Sequence, residues 1–128
     1  MKHTIILAST GLIMGLLSSL VGLPSIVEYS LWSAFYVLWV VYGVRVNIDM
    51  PVRRMAFAAT LGGLLAGSTQ VILMEQYREN NPWYSEIFET SSAQDLSTKL
   101  LGEGIAMGIL FGLIVGLIVR WRQSRAVA

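Results

Sequence analysis

Four long apolar stretches fill most of this 128-residue chain, and three of them carry glycines spaced four apart. The last is the clearest, with Gly104, Gly108, Gly112 and Gly116 in one unbroken register. In an α-helix a four-residue step keeps side chains on nearly one face. A bare glycine face lets a neighbouring helix approach closely in lipid, where small residues rather than hydrophobic gain drive association. The expected fold class is all-α: a polytopic membrane protein of four transmembrane helices packed as a small bundle through Gly-rich faces.

Composition supports this. Charged residues make up only 13% of the chain and hydrophobic residues 55%, whereas a soluble domain carries about 25% charged residues. Spans of about 20 residues each are expected at 4–23, 29–48, 51–77 and 97–119, with an external loop at 78–96, all within one transmembrane domain covering 1–128. Lys2 and His3 before an apolar run resemble a secretory signal. The run is longer than a signal core and has no Ala-x-Ala cleavage site, so it is read as a retained first span. Pro24 is expected to close that span, and Pro51 to open the third. Asn47 and Asp49 should supply turn and capping chemistry between spans two and three. In the external loop, Trp83, Tyr84, Ile87 and Phe88 suggest a short interfacial helix with its rings at headgroup level. Ser92 and Asp95 suit a capping pair for the last helix.

Charge sets the expected direction. Lys2, Arg45, Arg53, Arg54, Arg120, Arg122 and Arg125 flank span ends that four crossings place on one side. Glu28, Glu75, Glu79, Glu86, Glu89 and Asp95 flank the other, with only Arg78 and Lys99 as basic company. Basic residues in short loops stay cytoplasmic. The expectation is a multi-pass protein of the inner (plasma) membrane with both termini in the cytoplasm. The arginines, Arg45, Arg53, Arg54, Arg120 and Arg122 above all, set topology and attract lipid headgroups.

Three groups of residues invite a functional reading. The first is the small-residue faces: Gly11 and Gly15 on span one, Gly63 and Gly67 on span three, and the glycine row of span four. They serve either packing inside the bundle or association with a partner helix. The second is an aromatic stripe on span two, Trp32, Phe35, Tyr36, Trp39 and Tyr42, at three- and four-residue steps. It fills grooves, faces lipid, or holds a lipid-like or other hydrophobic ligand. The third is a polar layer. Glu103 lies seventeen residues from Arg120, about 25 Å along a helix, within a hydrocarbon core about 30 Å thick. Gln70, Ser18, Ser19 and Ser33 fall near the same depth by the same ruler. Either Glu103 and Gln70 line a vestibule for a cation, proton or small polar solute, or Glu103 pairs with Lys99 one turn outward and reaches the surface.

No cofactor is expected. There is no cysteine and His3 is the only histidine, so thiolate and imidazole sites lack members. The leading expectation is a non-enzymatic protein, either an accessory or assembly subunit of a larger membrane complex or a self-associating scaffold. Its partners would be membrane lipids and other membrane subunits or copies of itself, not nucleic acid. The alternative is a small oligomeric channel or transporter using the polar layer.

Overall fold

The computed structural model describes residues 1–127, and these residues form helices joined by short turns, with no strand among them. The elements are α1 (Lys2–Leu20), α2 (Ser25–Arg45), α3 (Pro51–Ile72), α4 (Met74–Asn80), a 3-10 turn at Pro82–Tyr84, α5 (Ser85–Thr90) and α6 (Ala93–Val127). Helices α1, α2, α3 and α6 are long and apolar enough to cross a membrane. At 1.5 Å per residue, the 35 residues of α6 extend about 52 Å, so α6 outruns a hydrocarbon core about 30 Å thick. The long helices run up and down. Both ends of the described chain, together with the α2–α3 turn, lie at one end, called here the basic end. There His3 Nδ1 meets the Tyr42 hydroxyl at 2.6 Å, and Gln123 Nε2 donates to the carbonyls of Gly43 and Ile48 at 3.3 and 3.2 Å. The other, acidic end carries α4, α5 and the α1–α2 turn.

Helix α3 is the axis of the bundle, with α1 on one flank and α6 on the other, while α2 leans mainly on α6. Its composition explains the placement. Ala58, Ala59, Gly62, Gly63, Ala66 and Gly67 leave α3 almost bare on both sides, and all are buried. A Cβ built on Gly11 of α1 would collide with the Gly62 carbonyl, and one on Gly63 would collide with the Gly104 carbonyl. Below these contacts a core of Leu7, Trp39, Ile48, Met55, Ala58, Ala59, Val115 and Val119 closes the basic half. Only Trp39 and Gly43 of α2 are buried, both toward the basic end. Helix α2 is therefore anchored below and parts from α3 and α6 above.

Three boundaries differ from the sequence reading. Pro24 does not end the first span. Gly22 does, with φ +82°, donating to the Leu17 carbonyl at 3.1 Å, and only glycine enters that conformation without strain. Pro24 instead stands as the residue before α2. The third expected span, 51–77, is divided at Leu73, so Met74 onward forms a separate short helix. No glycine or proline marks that break, which tertiary packing imposes. Asp49 does not cap α3, since Met50 holds the cap position with no side-chain bond. Its carboxylate accepts from Arg54 Nη2 at 2.8 Å, and that bond holds the Asp49 carboxyl below the usual range. Asn47 does supply the turn, at φ +45°. The Ser92–Asp95 pair behaves as read, because the Asp95 amide donates to Ser92 Oγ at 3.1 Å and the Ser92 hydroxyl donates to Asp95 Oδ2 at 2.7 Å.

Candidate functional site: a cleft between α2 and the α3–α6 pair

Where α2 parts from its neighbours, a cavity of about 590 Å³ opens toward the acidic end. One wall is α2, with Glu28, Tyr29, Trp32, Ser33 and Tyr36. The opposite wall combines Gly63, Gly67 and Gln70 of α3 with Lys99, Glu103, Gly104 and Gly108 of α6. Tyr77, Tyr84, Ile87 and Phe88 reach it from the acidic-end cap. The floor is a ring stack across the bundle. Trp32 lies over Tyr36 with centroids 5.7 Å apart, and Tyr36 lies over Phe111 of α6 at 5.2 Å and 14°.

The local causes are visible in the sequence. Trp32 and Tyr36 stand four apart and so share a helix face. On the far wall Gly104 and Gly108 seat α6 tightly against Gly63 and Ala59 of α3, so the two helices present one wall to α2. Ser25 and Tyr84 hydroxyls meet at 2.6 Å, tying the start of α2 to the 3-10 turn. Tyr77 packs edge-on against Phe88 at 5.8 Å, and the two form a small cluster with Leu96. Burial pushes the Tyr77 hydroxyl well above its ordinary value, and the charges of Glu28, Tyr84 and Glu103 push it the same way. Glu28, Glu103 and Tyr77 all border the cavity.

The structure brings part of the expected polar layer and part of the expected stripe into one site. Glu103, Gln70, Ser33, Lys99, Trp32 and Tyr36 all line the cleft. Lys99 Nζ is 3.9 Å from Glu103 Oε1, with both side chains half exposed or more, so Glu103 pairs outward and also borders the cavity. Ser18 and Ser19 lie elsewhere, fully buried between α1 and its neighbours. Ser18 Oγ accepts from Gln70 Nε2 at 2.8 Å, which connects α1 to the cleft wall only through Gln70. The stripe on α2 also splits. Trp39 is in the core, 2% exposed, and Tyr42 is engaged with His3. Phe35 is half-buried and does not line the cavity. Helix α2 meets its neighbours closely only toward the basic end, so the rings of one stripe fall in different surroundings.

The glycine faces meet partners inside the chain. A Cβ on Gly15 would lie 2.7 Å from the Thr69 Cβ, and one on Gly67 would lie 2.9 Å from the Leu100 carbonyl oxygen. On α6, Gly104 faces Gly63, Gly108 faces Ala59 and Thr60, Gly112 faces Met55 and Ala56, and Gly116 faces Pro51 and Val52. The row is filled by α3 and is not a free surface. At the interfacial segment, Trp83 and Ile87 are exposed as expected, whereas Phe88 is turned inward at 7% exposure.

Among the cleft residues that escaped sequence reasoning, two carried a usable signal. Glu28 precedes Arg45 by seventeen residues, the same offset that separates Glu103 from Arg120, so the ruler used for Glu103 puts both acids at one level. Phe111 is the one aromatic residue in the interior of the last apolar run, which singles it out as a partner for a ring on α2. Comparison with family models, with curated proteins and with solved structures finds no match to this chain.

Proposed function

We propose that this chain is a non-enzymatic integral membrane protein, its basic end in the cytoplasm, that binds an amphipathic small molecule in the cleft between α2 and α6. The observation that carries the proposal is the meeting of an aromatic floor with carboxylates and a glutamine in one cavity of about 590 Å³. That volume lies within the range of about 300–1,000 Å³ usual for small-molecule sites, which are mostly apolar with a few placed polar groups. The packed core around Trp39, Met55 and Val119 closes the basic half. This supports a binding site open at one end over a conducting channel.

Native mass spectrometry of protein extracted in mild detergent tests the reading. The unaltered chain should carry an adduct of amphiphile mass. Tyr36→Leu, which breaks the floor stack, should remove most of it. Trp121→Leu, an exposed ring at the basic end, should leave it in place. An adduct retained by Tyr36→Leu places the ligand outside the cleft.

The direction rests on the basic flanks of three turns or ends, and the absence of cysteine allows a clean test. In intact cells a thiol introduced by Glu89→Cys should react with a membrane-impermeant maleimide. One introduced by Ser124→Cys should react only after the membrane is opened. The opposite pattern reverses the assignment.

A second reading, an accessory subunit of a larger complex, draws support from α2 itself. Of its 21 residues only Trp39 and Gly43 are buried, leaving a long flank for a partner helix. Co-purifying protein in place of a small-molecule adduct would favour it.

A further inference from the structure

The wall chemistry of the cleft selects the head group of its ligand, a step that rests on the cleft being a binding site. We infer that the ligand is an amphiphile with an N–H-bearing ammonium head, a protonated primary or secondary amine, its chain lying along the ring-stacked floor. Two acceptors on the cleft wall stand without a protein partner, the Gln70 side-chain oxygen and the Glu28 carboxyl group. Gln70 is 7% exposed, and its Nε2 is committed to Ser18. Its Oε1 has no hydrogen-bond partner among the described residues, although the side chain lines the cavity. That oxygen is open to accept from a donor that arrives with the ligand.

Charge points the same way. Among the described residues Glu28 has no ion-pair partner, while Lys99, the one cation on the wall, already faces Glu103. The cleft thus sets two carboxyl groups, Glu28 and Glu103, against one ammonium group, Lys99, beside apolar rings where water screens charge weakly. An anionic head is repelled, and a neutral head leaves the charge unmatched. A quaternary ammonium matches the charge and suits the rings but cannot donate to Gln70. Only an ammonium with N–H groups answers both demands. Below it, Tyr36, Met107 and Phe111 offer an apolar channel to a hydrocarbon chain.

Four single-chain probes decide the point: dodecylammonium, dodecyltrimethylammonium, dodecanol and dodecanoate, at equal mole fraction in uncharged maltoside micelles. The readout is the maleimide labelling rate of a thiol introduced by Ser33→Cys, an exposed position on the cleft wall. A thiol from Ser9→Cys, exposed on α1 outside the cleft, reports non-specific insertion and should not respond. Dodecylammonium should protect Ser33→Cys at a concentration about tenfold below the other three, the scale of one charge-assisted hydrogen-bonded contact. Adding Glu28→Gln or Glu103→Gln should erase most of that preference. Equal protection by dodecanol or the trimethyl analogue, or a preference unchanged in both glutamine variants, overturns the head-group assignment and leaves the cleft as a binding site. Protection of Ser33→Cys by none of the probes overturns the cleft reading itself.

Discussion

Gly104→Ala should lower the stability of the protein by about 1–3 kcal/mol, the range for overpacking a tight contact, while Gly102→Ala should leave it unchanged or raise it. The two glycines lie two residues apart on one helix, so helix propensity acts on both alike and favours alanine by about 0.5–1 kcal/mol. What differs is the neighbour. A Cβ on Gly102 meets nothing within 4 Å, whereas one on Gly104 collides with the carbonyl oxygen of Gly63. That atom belongs to a helix backbone, which cannot swing aside as a long side chain can. Helices α3 and α6 must separate, and every contact further down their shared seam loosens with them. Gly63→Leu should be worse still, since α3 is held between α1 and α6, and it should leave no stable bundle in detergent. The measurement is thermal or denaturant unfolding in a mild detergent, with Gly102→Ala as reference. Equal midpoints for Gly102→Ala and Gly104→Ala would show that α3 and α6 do not meet at these glycines. The same comparison separates packing from association, because the face of α6 that carries the glycine row is occupied inside the chain. Gly108→Leu and Gly112→Leu should therefore act on the fold before they act on any oligomer.

The existence of four long apolar helices, their alternating direction and the Ser92–Asp95 cap were readable from the sequence because each depends on local signals: length, apolarity, charge at the flanks, a three-residue spacing. The four-residue glycine step showed that α6 has a bare face. It did not show which helix fills that face, because periodicity describes one helix at a time. The aromatic stripe failed for the same reason. Trp32 and Trp39 are two turns apart and look equivalent in a helical projection, but α2 touches its neighbours only toward the basic end, so one ring becomes core and the other lines a cleft. The break at Leu73 was hidden because no residue there disfavours a helix; α4 turns off to pack Tyr77 under Phe88. The cleft was half readable. Glu103, Gln70 and Ser33 were selected by depth, and Trp32 and Tyr36 by periodicity, but nothing local joins the two sets.

Asn81 stands just before a proline, and removing its side chain should cost the fold heavily. It has no solvent exposure. Its Oδ1 accepts from the Leu23 amide at 3.1 Å, and its Nδ2 donates to the Ser18 and Tyr77 carbonyls at 2.7 and 2.6 Å. One side chain thus joins the end of α1, the turn into α2 and the last turn of α4. Asn81→Ala leaves a buried amide and two buried carbonyls seeking partners, at about 1–3 kcal/mol for each group left unpaired. Some relaxation will admit water, so the expected loss is about 2–4 kcal/mol. Asn81→Asp is the sharper test. It preserves shape and the acceptor for Leu23, but it sets a carboxylate oxygen against two carbonyl oxygens in a dry site, where unpaired charge is strongly disfavoured. Asn81→Asp should therefore be less stable than Asn81→Ala at neutral pH, although it is the smaller change in shape. Hydrogen exchange at the Leu23 amide and along 74–90 should rise in both, since α4 and α5 lose their tether. Because α4 carries Tyr77 to the top of the cleft, both variants should also weaken retention of the co-purifying amphiphile, with Tyr36 and Phe111 untouched. An Asn81→Asp protein as stable as the unaltered chain would show that water reaches this junction and that the acidic end is not closed by Asn81.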